Sequence, residues 1–437
     1  MSLFGAMSTA ISGLSAQSSA FSNISDNVAN SQTVGFKRTD TSFIDYLTTS
    51  SSVVNESGAV VARPDYINSV QGTISQTDNP LGLAIAGQGF FPVSQQNGQV
   101  NGQPTFNPQQ YYTRAGDFKM DKNGYVVNSA GDFLNGWSVD PTTGSVNRNA
   151  LSPIQVSQTV YNPVPSTEVT LSANLPATPS AGSTISSQIQ VYDALGTAHM
   201  VSLDWTQNAA NDWTVSINAP DDTSPPPAPG RTAEVQFGAT SGNTVPEGTV
   251  GNVLNATGGV TTAGYASGGP ASMSFSMNFG SGPQTIQLNL GTYGQANGVT
   301  QYAGTEYSLR GLTQNGVPPG SFSSLSTRST GDLVVNYDNG QSRIIGRVPV
   351  VTFNNPDGLQ RQDGQAFTAT NASGTPLAED AGTNGAGSLV TQSTESSNVD
   401  IASEFTKLIV AQRAYSANTK MVTTADDMLQ QTIDMKR

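Results

Sequence analysis

Apolar residues recur every seven positions near both ends of this chain. Near the start, the residues with this spacing and one companion residue are Met7, Leu14, Phe21, Val28 and Ile11. Near the end, the corresponding residues and one flanking residue are Ile401, Leu408, Tyr415, Val422, Leu429 and Phe405. A seven-residue repeat keeps a narrow apolar stripe in line along a helix, and such a stripe favours packing against another helix. The pattern therefore predicts helices over residues 1–30 and 395–437 that pair as a coiled coil.

The segments between these helices show the alternation typical of β-strands. Residues 31–70 are a polar connector with a weak helical pattern from Phe43 to Leu47. Residues 71–150 and 321–394 alternate apolar and polar positions, with a turn at Asn79-Pro80. Asn-Gly between alternating apolar residues is the strongest short signal of a hairpin, and it occurs at 123–124, 135–136 and 339–340. We therefore expect short antiparallel strands joined by tight turns.

Residues 151–320 form a long middle section of short candidate strands. Gly, Pro, Asn or Asp bounds each strand at intervals of about ten residues, as in a β-sandwich or a barrel. The Gly-rich piece near 238–270 is expected to be a loop or a poorly ordered region.

This order of elements predicts an α+β fold with a nested arrangement. Residues 1–30 and 395–437 would form a coiled-coil inner domain, and residues 31–70 would connect it to the rest. Residues 71–150 and 321–394 would form a middle β-domain, and residues 151–320 would be inserted in it as an outer β-domain. Both β-domains would be mainly antiparallel. Because chain termini often lie close together, the two ends would meet and the middle of the chain would lie furthest out.

Composition narrows the range of partners. The net charge is −13 and only 11% of residues are charged, so the polar surface must come from Ser, Thr, Asn and Gln. Nucleic acids and anionic membranes need a basic partner, so neither is expected. The absence of cysteine excludes disulfides and thiolate chemistry. No stretch approaches the roughly 18 apolar residues of a membrane helix, and the first residues lack the basic and apolar regions of a cleaved signal peptide.

The reactive side chains argue against an enzyme and predict neither a cofactor nor a metal. His199 is the single histidine, lies in a candidate strand and is expected to be structural. A catalytic dyad would need a nucleophile and a carboxylate beside it, and zinc would need three or four ligands. The segment around Asp121 faintly resembles a calcium loop, but Lys119 and Ala130 occupy its first and twelfth positions. The glycines at 87 and 89 lack the third glycine of a dinucleotide-binding loop.

Residues 12–43 and 394–435 resemble the shared start and end of the flagellar axial proteins, which are the rod and hook subunits. The internal segments LGLAIAGQGFF and YYTRAGDFKMDKNGYVVNSAGDFLNGW are similar to the β-rich part of the same family. A further segment, QIQVYDALGTAHMVSLDW, resembles the outer domain of the hook subunits. The terminal positions that match the family pattern are Asn27, Asn30, Gly35, Phe36, Asn398, Val399, Asp400, Gln412, Arg413, Ala414 and Tyr415.

The resemblance implies a structural subunit that polymerises into the bacterial flagellar hook. In such a polymer the terminal helices form the inner layer of a tube, and the hook acts as a curved universal joint that passes motor torque from the rod to the filament. The implied partners are further copies of the chain, the distal rod, the hook cap, the hook–filament junction proteins and the type III export apparatus. The implied location is the hook and basal body outside the cell surface, reached without a cleaved signal peptide.

Two alternatives stay open at this point. Another axial protein, such as a distal rod or junction subunit, would share the terminal helices but would lack a hook-type middle section. A secreted β-rich adhesin would be a monomer with exposed aromatic sites, and its terminal repeats would have no role. Helices with little charge on their outer faces favour a subunit of an assembly, because such faces pack against neighbours.

Overall fold

The computed structural model describes residues 3–50, 55–140, 143–156, 160–179, 183–224, 230–304 and 306–435, with only the backbone at 3–4, 48–50 and 55–57. The chain divides into two compact units. The first comprises Met1–Gln158, Ser323–Asn336 and Ser342–Arg437, and the second comprises Thr159–Phe322 and Tyr337–Gln341. The segments predicted as inner domain, connector and middle β-domain lie in the first unit, apart from residues 321–322 and 337–341.

Both predicted terminal helices are present, as α1 (Leu3–Ala29) and α2 (Ile401–Asp434). Asp400 caps α2, because its Oδ1 atom accepts a hydrogen bond from the backbone N–H of Ser403 at 2.9 Å. α1 carries a single charged residue, Asp26. A helix that is this polar and uncharged depends on the packing of one face for its stability.

Residues 39–66 form an antiparallel hairpin of β1 (Thr39–Ser50) and β2 (Asn55–Tyr66). The weak helix predicted from Phe43 to Leu47 is therefore wrong. Threonine and aromatic residues favour strands, and cross-strand pairs such as Phe43 with Ala62 outweigh the short helical pattern.

The other strands are short and follow one another along the chain. Before the middle section they are β3 (Ile74–Gln76), β4 (Leu83–Ala86), β5 (Phe91–Ser94), β6 (Gln96–Val100), β7 (Gln103–Phe106), β8 (Tyr111–Thr113), β9 (Lys119–Met120), β10 (Val126–Val127), β11 (Phe133–Val139) and β12 (Val146–Pro153). In the middle section they are β13 (Glu168–Pro176), β14 (Thr184–Tyr192), β15 (Ala198–Ala209), β16 (Asp212–Asn218), β17 (Arg231–Phe237), β18 (Val250–Thr257), β19 (Thr261–Thr262), β20 (Pro270–Asn278), β21 (Pro283–Thr292), β22 (Thr300–Tyr302) and β23 (Ser308–Gln314). After it they are β24 (Phe322–Thr327), β25 (Asp332–Tyr337), β26 (Ser342–Arg347), β27 (Val350–Thr352), β28 (Gln360–Arg361), β29 (Ala366–Thr368), β30 (Leu377–Glu379), β31 (Ser388–Thr391) and β32 (Ser393–Glu395).

In the first unit, strands from before and after the middle section pair with each other. The main sheet has the order β24-β25-β26-β11-β5-β8-β29-β28, β31 pairs with β4, and β32 pairs with β3. In the β3–β32 pair, Ile74 lies opposite Glu395. The returning chain is thereby fixed beside the outgoing chain just before α2 begins.

Three of the four predicted turns are confirmed. The turn at Asn79-Pro80 separates β3 from β4, the turn at Asn123-Gly124 separates β9 from β10, and the turn at Asn339-Gly340 separates β25 from β26. The hairpin predicted at Asn135-Gly136 is wrong, because both residues lie inside β11. There the buried side chain of Asn135 accepts a hydrogen bond from the Oγ of Ser94 at 3.0 Å, so tertiary pairing overrides the turn signal.

The second unit contains two sheets around one apolar core. One sheet has the order β14-β15-β16-β17-β18, and the other has the order β19-β20-β21-β13-β22 with β23 paired to β13. Alternate side chains of β15 are buried, and its Trp205 and the neighbouring Trp213 are fully buried. The described strand pairs of this unit are antiparallel, except that β13 is parallel to β21 and to β22.

Two further expectations for the middle section need correction. Residues 238–270 include β18 and β19, so this piece is not simply a loop; Gly258 and Gly259, at φ +65° and +81°, form the turn between these strands. The predicted outer domain also began too early at residue 151. β12 extends to Pro153 and pairs with β11, which keeps this segment in the first unit.

Candidate helix junction and assembly surface

α1 lies against α2 on one side and against the β1–β2 hairpin on another. The ring of Phe21 meets the ring of Tyr415 edge to face, with centroids 6.3 Å apart. On the hairpin side, the Oγ of Ser12 accepts a hydrogen bond from the backbone N–H of Val60 at 3.0 Å, and Asn23 donates one to Thr41 at 2.8 Å. One helix therefore packs against two different elements.

The face of α1 that is most buried is made of small residues. Its fully buried positions are Ala10, Ala16, Ala20, Ile24 and Asn27. Gly13 allows α2 to approach closely, because a Cβ there would lie 2.9 Å from the Nδ2 of Asn418. On α2 the buried positions are Glu404, Ala411 and Ala425. Small side chains bring the helices together, and the heptad residues lie on the borders of this contact.

The heptad residues fall into two groups by exposure. Half-buried are Met7, Leu14, Phe21, Val28, Leu408, Val422 and Leu429. Exposed are Ile11, Ile401, Phe405 and Tyr415, although Tyr415 still touches Phe21. The pairing of the two stripes as a regular coiled coil therefore stays a prediction, and the exposed residues are available to other molecules.

A buried ion cluster fixes the chain just before α2. The Glu395 carboxylate accepts from the Nζ of Lys37 at 2.6 Å and from the Nη1 of Arg114 at 2.9 Å, and all three side chains are at most 3% exposed. Arg114 also donates to the carbonyls of Ile85 and Gly87. Burial lowers the pKa of Lys37, and Arg114 lowers it further, against the raising effect of Glu395. The cluster thus joins three distant segments of the chain at one point.

Asn398 connects the start of α2 to the connector. Its Oδ1 accepts from the backbone N–H of Arg38 at 2.7 Å, and its Nδ2 donates to the carbonyls of Ile67 and Val70 at 3.0 and 3.1 Å. Two residues later, Asp400 caps the helix. Val399 between them is half-buried. Of the three matched positions, Asp400 thus sets where α2 begins, and Asn398 fixes the start of the helix to the connector.

Asn27 connects α1, β1 and α2. It forms two hydrogen bonds of 2.9 Å with the backbone of Thr39 and donates a third to the Oε2 of Glu404 at 3.1 Å. The other carboxylate oxygen of Glu404 accepts from Lys407 at 2.8 Å, and Lys407 also contacts Asp40. A buried carboxylate is tolerated when its oxygens are paired in this way.

The remaining matched positions have different roles. Gly35 adopts φ +69°, and a Cβ there would lie 2.3 Å from the backbone nitrogen of Ala115, so glycine is required. Phe36 is buried beneath the Arg361 guanidinium, which lies 4.2 Å from the ring centroid. Asn30 donates only to the Asp26 carbonyl within its own turn. Gln412 and Arg413 are exposed and Ala414 is half-buried on α2, beyond the junction.

The sequence patterns did not identify Lys37, Arg114, Glu395 or Glu404 as site residues. The available signal was the scarcity of charge, because a charged residue in a chain with 11% charged residues has few alternatives as an ion-pair partner. The partners of Glu395 are 358 and 281 residues away in sequence, so no local pattern could connect them.

The exposed surface of α2 and the hairpin includes several large apolar side chains. Exposed residues on α2 beyond the heptad stripe are Ile409, Val410, Met421, Met428 and Ile433, and on the hairpin they are Phe43, Tyr46 and Leu47. An open groove of about 550 Å³ lies between α1, the hairpin and α2, with Ile24, Phe43 and Val410 in its walls. Apolar surface on this scale marks an interaction site.

The described residues show no arrangement suited to catalysis or metal binding. His199 is buried in β15, its Nδ1 lies 3.2 Å from Asp221, its Nε2 lies 3.7 Å from Asp193, and its ring stacks on Phe279. Burial would raise the pKa of Asp193, but the backbone N–H groups of Thr197 and Leu195 and the nearby His199 outweigh it and lower the pKa. In the described part of the chain, no three His, Cys, Asp or Glu residues are grouped as metal ligands. Neither described helix is long and apolar enough to span a membrane.

Four family models match successive parts of the chain. Residues 7–37 match "Flagella basal body rod protein", and residues 390–435 match "Flagellar basal body rod FlgEFG protein C-terminal". Between them, residues 84–174 match "Flagellar hook protein FlgE/F/G D1 domain", and residues 158–317 match "Flagellar basal body protein FlaE D2 domain". The N-terminal match contains most of α1, the C-terminal match contains α2, and the D2 match covers most of the second unit.

Relatives are similar over the full length. The flagellar hook protein FlgE of Brucella abortus is 32% identical over 443 residues, with both chains covered completely. The FlgE proteins of Rhizobium meliloti and Escherichia coli K12 are each 30% identical, over 441 and 445 residues. They cover 100% and 99% of this chain and are themselves covered completely.

A solved structure, the hook protein FlgE2 of Helicobacter pylori, aligns with 72% of this chain and 98% of its own at 14% identity and a TM-score of 0.46. This structural similarity is too low to support an argument, so the assignment depends on the full-length relatives. Hook proteins are structural subunits and not enzymes. The full-length matches favour a hook subunit over a rod subunit, a junction subunit or an adhesin. With hook proteins matching from end to end and four segments of the chain matching flagellar axial domains, this chain belongs to the flagellar hook protein family.

Proposed function

We propose that α1, α2 and the β1–β2 hairpin form the layer through which this structural subunit of the flagellar hook polymerises into a tube. The observation that carries the proposal is the apolar outer surface of α2, where Phe405 is 52%, Val410 62% and Ile433 65% exposed. A monomeric protein would bury such residues, so further copies of the chain are the simplest cover for them.

The distribution of this surface favours an open polymer. The exposed heptad residues Ile401 and Phe405 and the groove-lining Val410 lie on different sides of α2. A contact that joins unlike surfaces of two copies does not close on itself and continues as a helical filament. The pairing of the heptad stripes as a coiled coil, within or between copies, is part of this proposal.

A hook must bend while it rotates, and the composition of the chain suits that task. As a bent tube turns about its own axis, each row of subunits shortens and lengthens once per revolution. Ser, Thr and Asn form water-mediated contacts that rearrange with little cost, whereas long charged side chains would hold fixed pairs. The low charged fraction of 11% limits such fixed pairs over the whole surface.

The further partners follow from the family and belong to the same proposal. The distal rod, the hook cap and the hook–filament junction proteins would contact the ends of the polymer, and the type III export apparatus would deliver the chain. The location is the hook outside the cell surface, reached without a cleaved signal peptide. α1 has a single charged residue and would be marginal as an isolated helix, which is compatible with export as an unfolded chain.

Substitutions in the half-buried stripes test the assembly layer. Leu14→Asp or Leu408→Asp places a carboxylate at a border of the helix contact, so we expect no tubes in electron micrographs of concentrated or salted-out protein, whereas the native chain forms them. The β-structure should persist in circular dichroism. Leu408→Met preserves apolar volume and should assemble normally. Normal hooks from either Asp variant, or no tubes from the native chain under any condition, would contradict the proposal.

A further inference from the structure

The outer face of α2 carries a row of charges that also repeats every seven residues. The row consists of Arg413, Lys420, Asp427 and Asp434, so two cations precede two anions. All four residues are exposed. Within the described part of the chain none of them belongs to an ion pair.

This row points away from the contact with α1. At 100° per residue, its four positions fall within about 60° of one another and lie about 120–180° around the helix from Glu404, Ala411 and Ala425. Those three residues form the buried face of α2. The charges are therefore presented outward from the junction.

The charges cannot neutralise one another within one helix. The nearest cation and anion, Lys420 and Asp427, are seven residues apart, which is about 10 Å along the axis. Ion pairs on a helix form between residues three or four apart. The opposite charges can therefore meet only across two molecules.

We propose that the α2 helices of neighbouring copies lie parallel and displaced by fourteen residues, about 21 Å along the axis. Arg413 of one copy then meets Asp427 of the next, and Lys420 meets Asp434. The occupant of this face is a second copy of the chain, because the face is complementary to itself at this displacement and repulsive in register. The inference rests on the proposed polymerisation and adds the register of the contact.

The parallel arrangement is preferred to an antiparallel one for two reasons. An antiparallel pair would join Arg413 to Asp434 and would close as a dimer, which does not build a tube. A seven-residue repeat also drifts by about 20° per heptad around a straight helix. The cations and their proposed partners are thus about 40° apart around α2, so all four charges stay on the face that points away from α1.

Charge reversal in the full-length chain tests the contact between Arg413 and Asp427. Lys436 and Arg437 follow Asp434 in the sequence, so the charge-reversal variants avoid that position. Arg413→Asp and Asp427→Arg should each raise the critical concentration for tube formation about fivefold or more, and the double variant should return it to within about twofold of native. The difference in critical concentration between each single variant and the native chain should become smaller as NaCl is raised, because salt screens exposed ion pairs.

Asp426→Arg is the matched control for Asp427→Arg. It makes the same change of charge one residue earlier and 100° away around the helix, so its critical concentration should stay within about twofold of native. Circular dichroism should be unchanged in all variants, because the substituted residues are exposed. The inference would be overturned if both single variants had the native critical concentration, or if the double variant had a higher critical concentration than either single variant. In both cases the proposed polymerisation would still stand.

Cross-linking distinguishes the two arrangements, because the chain has no cysteine of its own. Copies with Arg413→Cys are mixed with copies with Asp427→Cys, assembled, and treated with a short bismaleimide. A mixed cross-linked product that appears only in tubes supports the parallel register. The parallel register would be overturned if copies with Arg413→Cys cross-linked more strongly to copies with Asp434→Cys, as the antiparallel arrangement requires. It would also be overturned if tubes gave no mixed product. A native chain that forms no tubes would remove the proposed function, and the inference with it.

Discussion

At the scale of single residues, a carboxylate at the end of β32 joins distant segments of the chain. Glu395 binds Lys37 and Arg114 and also accepts from the backbone N–H of Gly72 at 2.8 Å. Because Lys37 and Arg114 are buried with it, the cluster balances two cations with one anion and with carbonyl acceptors. Its role is to place the last strand beside the connector before α2 begins.

Glu395→Gln tests this role. The substitution leaves two buried cations beside a neutral amide, so we expect the free energy of unfolding of the first unit to fall by about 3–5 kcal/mol. Calorimetry of the full chain, with its unfolding transitions resolved, measures the loss. Asp78→Asn removes an exposed carboxylate from the same unit and should change the value by less than about 0.5 kcal/mol. A Gln variant as stable as the control would show that the cluster does not hold the junction.

At the scale of elements, α1 has two separate tasks. Its alanine face and Asn27 pack inward, while the heptad residues border that face and meet α2 at Phe21 and Tyr415. The hairpin covers another side of the helix, with Ser12 and Asn23 as polar contacts. A helix that would be marginal alone is thus ordered by two neighbours.

Asn27→Ala should weaken the packing of α1 against both α2 and the β1–β2 hairpin. The substitution removes three hydrogen bonds and leaves the backbone groups of Thr39 and one oxygen of Glu404 buried without this partner, which costs about 1–3 kcal/mol. We expect faster protease cleavage in the first thirty residues. Asn30→Ala is the matched control, because Asn30 contacts only its own helical turn and the neighbouring Thr33. Equal cleavage rates in the two variants would contradict the bridging role of Asn27.

At the scale of the whole molecule, the second unit has a core of its own. Its buried apolar cluster runs from Val169 to Val299 and includes both Trp205 and Trp213. All of these residues come from one continuous stretch of chain. The unit therefore has the interior of an independent domain.

A fragment of residues 159–322 should fold without the rest of the chain. It retains the whole apolar cluster and loses only the 337–341 hairpin tip, so we expect a cooperative thermal transition and the blue-shifted emission of buried tryptophans. It should stay monomeric at concentrations where the full chain forms tubes, because it lacks both terminal helices. Emission at the wavelength of free tryptophan in the fragment would contradict an independent core.

Sequence patterns predicted the elements of this fold that depend on short stretches of chain. The heptads predicted α1 and α2, and the Asn-Gly turns at 123 and 339 were confirmed, because these signals depend on neighbours in sequence. The turn signal at Asn135 and the helical pattern from Phe43 to Leu47 failed, because pairing with other strands decided both segments. The buried partners of Glu395 could not be predicted for the same reason.

The amino-acid sequence alone determined that this chain has helices at both ends, β-structure between them, few charges, and the terminal segments of a flagellar axial protein. Those properties are local, since periodicity, turn residues and matched segments need no knowledge of what lies nearby in space. Only the tertiary structure decided which face of α1 is buried, which charges meet at the junction, and which apolar residues of α2 stay exposed. These outcomes depend on packing between residues hundreds of positions apart, where burial makes an unpaired charge costly and leaves an uncovered apolar face for another copy.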